Sequence, residues 1–94
     1  MNVHLVLTYH WYDEVKSGHK RIEYRSMVKK DGVTPSKWVK HLWDRRGKIT
    51  TVTFARGYTS TTQTFAVTKI DVGPCPYDGW PDQYYRIHFK ELPY

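Results

Sequence analysis

The chain has 94 residues, of which 39% are apolar, and it carries four Trp, eight Tyr and three Phe. That length buries about two-thirds of its unfolded surface, enough for one domain over residues 1–94 and too little for a second, and its aromatic content argues against intrinsic disorder. A net charge of +6 favours polyanionic partners, while the single cysteine, Cys75, excludes an internal disulfide and any multi-thiolate metal site.

Residues 3–8 form a short aliphatic and β-branched run without glycine or proline, which reads as a first strand. Trp11, Tyr12 and Val15 then lie on one side of a helix over residues 9–17, and Gly18 supplies the left-handed residue that stops it. Over residues 21–25 the order alternates, so Ile22 and Tyr24 share one face of a second strand and Arg21, Glu23 and Arg25 the other. Residues 26–33 read as a polar turn. Thr34 is the expected cap of a second helix with Pro35 at its first position, followed by Trp38, Val39, Leu42 and Trp43 at helical spacing and stopped at Arg45, Arg46 and Gly47. Alternation returns at 49–55 and 65–70, joined by the polar segment 57–64 as an antiparallel hairpin. Residues 71–83 hold Gly73, Pro74, Pro76, Gly79 and Pro81 and read as a loop, with Cys75 held rigidly between prolines, before a last strand at 85–89. Five short strands grouped rather than alternating with two short helices predict a small α+β domain whose mostly antiparallel sheet curls toward a closed barrel.

The continuous run Trp11-Tyr12-Asp13-Glu14-Val15-Lys16-Ser17-Gly18-His19-Lys20-Arg21-Ile22-Glu23-Tyr24-Arg25 is a helix ending in Ser-Gly, a basic pair and a strand carrying Glu-x-Arg. It resembles the signature of the ASCH (activating signal cointegrator homology) domain, a PUA-like family. Residues 52–58 and 84–87 resemble later strands of small ASCH proteins more weakly. The resemblance implies a PUA-like β-barrel with a cleft between the barrel and the first helix, and RNA or nucleotide recognition in that cleft. Some relatives are hydrolases, among them an amidohydrolase acting on acetylated cytidine and a member with associated ribonuclease activity. Lys20 and Arg25 match that amidohydrolase, whereas Glu23 stands where it has a threonine nucleophile, and the acidic insertion that could supply its glutamate is missing.

The candidate nucleic-acid-binding residues are therefore Lys20, Glu23 and Arg25, with Trp11, Arg56 and Tyr58 at the margins. Two cations can hold a phosphate or base carbonyl while Glu23 accepts from a base amino group; the bland alternative is an exposed ion-pair ladder. Trp11 can wall a base or pack in the core, and Arg56-Gly57-Tyr58 with the four hydroxyls after it can clamp a backbone or form an ordinary hairpin tip. Lys29, Lys30, Lys37, Lys40, Arg45 and Arg46 make a second basic zone suited to steering RNA or to solubility. Trp38 and Trp43 read as core or partner packing, with no site role. The five histidines fall into no metal-binding spacing. The leading expectation is an RNA- or nucleotide-binding ASCH protein without cofactor or metal. A small hydrolase acting on a modified nucleoside or RNA, with Lys20 and Glu23 catalytic, and a protein-interaction module built on the second helix are the alternatives. Short apolar runs and the absence of a signal-peptide pattern after Met1 add the expectation of a cytoplasmic protein without a membrane partner.

Overall fold

The computed structural model of the chain describes residues 1–28, 33–76 and 83–93. Five strands and two helices appear in the order β1 (Asn2–Leu7), α1 (Tyr9–Ser17), β2 (Ile22–Ser26), α2 (Lys37–Asp44), β3 (Thr51–Arg56), β4 (Thr62–Gly73) and β5 (Tyr84–Glu91), with a short 3-10 turn, Arg46–Lys48, after α2. They build one sheet in the order β1-β3-β4-β5-β2. The β1–β3 pair is parallel and the other three pairs are antiparallel.

Period-two patterning determines the inner face. Val3, Leu5 and Leu7 of β1, Val52 and Phe54 of β3, Phe65 of β4 and Ile87 and Phe89 of β5 are all buried. The rings of Phe54, Phe65 and Phe89 pack mutually with centroids 5.0 to 5.9 Å apart. Tyr12 and Val15 of α1 and Leu42 of α2 complete this core. A register shift between Val67 and Lys69 bends the twelve-residue β4, which lets a single strand span the curve of the half-barrel.

Helix α1 has the bounds its sequence predicts. The Thr8 side chain caps the N–H of Trp11, and Gly18 closes the other end at φ +91°. Other boundaries move. Pro35 forms an extended bridge with Val28 and the Ser36 N–H donates to the Met27 carbonyl, so the chain is not yet helical at the expected Thr34 cap. Ser36 caps α2 instead. At its far end Arg45 takes the cap position, and Gly47 lies in the 3-10 turn without a positive φ. Strand β4 runs into the expected 71–83 loop because Asp71 lies directly opposite Arg86, giving the pair a bidentate contact at 2.8 and 2.9 Å. Pro74, Cys75 and Pro76 follow it, while 77–82 of that expected loop and 29–32, with Lys29 and Lys30, lie outside the described residues.

The sheet does not close. Strands β1 and β2 stand at its two ends, and no ladder joins them among the described residues. At this seam the Arg25 guanidinium donates to the Val6 carbonyl at 3.4 Å, taking an acceptor that a β1–β2 ladder would have used. No helix among the described residues is long and apolar enough to cross a membrane.

On the outer face, Arg86 and His88 both reach Asp71, and the Arg86 hydrogen bonds hold the Asp71 carboxyl well below the usual carboxylate range. Because its folded-state pKa lies below the unfolded value, this contribution is fully present above about pH 4 and is lost progressively as pH falls below it. Asp71→Asn should therefore lower stability at pH 7 by roughly 1–3 kcal/mol. In urea titrations the gap from the parent should narrow steadily below about pH 4.

Candidate functional site

Strand β2 carries its charges on the side where the other strands carry their core. Glu23 lies directly opposite Ile87 and Arg25 opposite Tyr85, whereas Ile22 and Tyr24 pair with His88 and Arg86 on the outer face. The alternation in the sequence is correct, but its charged face is the inner one. Glu23 and Lys20 are only 4% and 8% exposed.

Burial of two opposite charges is tolerated because each has close partners. Lys20 Nζ donates to Glu23 Oε1 at 2.6 Å, and Arg25 Nη2 donates to Glu23 Oε2 at 2.8 Å. The backbone N–H of Tyr24 also reaches Oε1, at 3.2 Å. The left-handed Gly18 makes this possible: it turns the chain out of α1, and the Lys20 N–H then returns to the Glu14 carbonyl, which aims the lysine side chain back across the seam. The Lys20 ammonium also lies over the Trp11 ring, 4.7 Å from its centroid.

These groups line a pocket of about 180 Å³ formed by Val6, Leu7, Thr8, Trp11, Lys20, Glu23, Tyr24 and Arg25. Arg25 Nε is buried and has no hydrogen-bond partner among the described residues. Such an orphaned donor is uncommon in a folded protein and marks a place where a ligand acceptor would be satisfied. Two cations face one carboxylate here, so the pocket carries an excess of positive charge.

Arg56 is placed elsewhere. Its guanidinium forms a bidentate pair with Asp13 of α1 at 3.0 and 3.2 Å, holding the Asp13 carboxyl below its usual range, and its charge lies 4.2 Å from the Tyr9 ring centroid. It ties the β3–β4 hairpin to α1 and does not line the pocket. Gly57 adopts φ +59°, and a side chain there would meet the Tyr9 ring at 2.6 Å. Tyr58 is 98% exposed and lines a second, larger groove beside the seam, with His4, Arg25 and Trp38. Trp38 is 48% exposed rather than core. Only Trp43 of the two α2 tryptophans packs inward, against Tyr85 at 5.3 Å, with Arg46 over its ring at 3.9 Å. Sequence spacing read Trp38 as core or partner packing with no site role, whereas Val39 and Leu42 are the buried residues of the helix and leave Trp38 outside the core.

No group of three or more His, Cys, Asp or Glu able to hold a metal occurs among the described residues. One hydroxyl of the β3–β4 hairpin is used locally: Thr59 donates to the Arg56 carbonyl and accepts from the Thr61 N–H. What the seam pocket can do chemically is offer fixed cationic donors beside one acceptor.

Removing Glu23 alone would leave two cations without their counter-charge. Glu23→Leu should cost about 3–5 kcal/mol, and combining it with Lys20→Met should cost clearly less than the sum of the two single changes. A double-mutant cycle from urea unfolding measures that coupling. Compared with protein-family models, with curated proteins and with solved structures, the chain matches none.

Proposed function

We propose that the chain is a PUA-like domain of the ASCH type that binds RNA or a nucleotide in the seam pocket. One observation carries this reading: the run from Trp11 to Arg25 folds so that Lys20 and Arg25 converge on Glu23 in a concavity open to solvent. An exposed ladder on a strand would leave these head groups in water.

The chemistry suits a nucleotide. A base edge presents donors and acceptors side by side, and its phosphate brings negative charge. Arg25 Nε, unpartnered among the described residues, is a donor for a carbonyl or phosphate oxygen. Glu23 Oε1 accepts from both Lys20 and Tyr24, whereas among the described residues Oε2 accepts only from Arg25, which leaves room there for a base N–H. Trp11 acts by positioning Lys20 as well as by walling the pocket. The overall charge of +6 adds long-range attraction to a polyanion. Glu23 is engaged by both neighbouring cations rather than poised over a hydroxyl, so recognition describes the arrangement better than proton transfer.

Fluorescence anisotropy with short RNAs across a salt series tests the reading. Affinity should fall steeply as salt rises, and Arg25→Gln should weaken binding about tenfold or more at a temperature where thermal unfolding, followed in parallel, shows the variant still folded. A flat salt response would overturn it. Turnover of acetylated cytidine or RNA that disappears in Lys20→Ala would replace it with the hydrolase reading.

A further inference from the structure

The seam pocket and the larger groove are not separate. They share Val6, Leu7, Thr8 and Arg25, and Arg25 is the one charged residue among the described residues that lines both. Their sizes differ in a way that matters. Sites that enclose a whole small molecule usually span about 300–1,000 Å³. The seam pocket, at about 180 Å³, cannot enclose a whole nucleotide and suits its base alone, with the sugar and phosphate outside, whereas the groove offers about 750 Å³.

Two aromatic rings flank that groove from different elements. Trp38, half exposed in the first turn of α2, stands at the edge of the stripe that buries Val39 and Leu42, and Tyr58 stands at the tip of the β3–β4 hairpin. Neither ring takes part in a ring contact or side-chain hydrogen bond among the described residues. Among the described residues no carboxylate lines the groove. Along its floor runs the open edge of β1. The Met1 and Leu7 carbonyls accept from Thr50 and Gly57 on the β3 side, so by alternation the backbone groups of His4 and Val6 point outward to the groove.

Resting on the reading of the seam pocket above, we infer that the ligand is a single-stranded oligonucleotide of at least two consecutive nucleotides. One base enters the seam pocket beside Lys20 and Glu23, the linking phosphate lies on Arg25, and the next nucleotide occupies the groove with its base against Trp38 or Tyr58. Stacking on exposed aromatic rings is open to unpaired bases and closed to bases within a duplex. The positive charge at the junction and the absence of acidic lining among the described residues favour this occupant over a peptide strand added to the β1 edge.

Affinities for labelled uridine monophosphate, a uridine dinucleotide, a uridine tetranucleotide and a blunt RNA duplex, at one salt concentration, test the inference. The dinucleotide and tetranucleotide should bind at least tenfold more tightly than the monophosphate, and the duplex more weakly than the tetranucleotide. Trp38→Ala and Tyr58→Ala together should lower the tetranucleotide-to-monophosphate affinity ratio at least fivefold; both side chains are exposed, and thermal unfolding checks that the fold survives. Equal affinity for the monophosphate and the longer strands, or an affinity ratio indifferent to both aromatic changes, overturns the inference and leaves the groove to a peptide strand, with the seam pocket still a nucleotide site. Binding of none of these probes overturns the reading of the seam pocket as well.

Discussion

The carboxylate of Glu23 is a buried anion that must be neutralised where it stands, and the architecture around the seam follows from that requirement. It sits on the inner face of β2, in line with Ile87, at a position where the other strands place apolar side chains. Lys20 reaches it from the turn after α1 and Arg25 from two residues along the same strand. One charge thereby ties together helix, turn and strand. Arg25 extends the tie to β1 through the Val6 carbonyl. The sheet is joined across its gap by a side chain instead of a backbone ladder, and the gap stays open as a pocket.

Elsewhere the fold is maintained by ordinary means. The three packed phenylalanines anchor β3, β4 and β5, the irregularity after Val67 lets β4 bend, and Arg21 covers one end of the core, its guanidinium 5.3 Å from the Phe65 ring centroid. The Asp13–Arg56 pair fastens α1 to the β3–β4 hairpin, beside the groove where Tyr58 stands. The outer-face cluster of Asp71, Arg86 and His88 lies opposite the seam groups across the sheet, since Arg86 and His88 alternate with Ile87 along β5. Two charged clusters thus occupy opposite faces, and the inner one lines the seam pocket.

Local chemistry made α1 legible to the residue, because a hydroxyl cap, a one-sided apolar stripe and a left-handed glycine all act within a single turn of the chain. The same kind of reasoning misplaced the start of α2. Its cap at Ser36 depends on a bridge between Val28 and Pro35 and on the Met27 carbonyl, partners that no window around Thr34 displays. The extension of β4 to Gly73 has a similar origin, since Asp71 finds Arg86 fifteen positions away. Of the two packings the spacing allows Trp38, core or partner, the structure excludes the core for a related reason: helical spacing shows which residues can share a face, and two smaller side chains were enough to fill it.

The sequence by itself determined which residues alternate, where the first helix begins and ends, and that Arg21, Glu23 and Arg25 share one side of a strand, because these depend on backbone geometry over a few residues. It did not determine which way that side faces. Only the pairing of β2 with β5 turns Glu23 inward opposite Ile87, and only the open order of the sheet brings β1 and β2 to the same seam. The β2–β5 pairing joins segments roughly sixty residues apart and the seam joins strands separated by a helix, both set by packing around the shared core, and no local pattern encodes them.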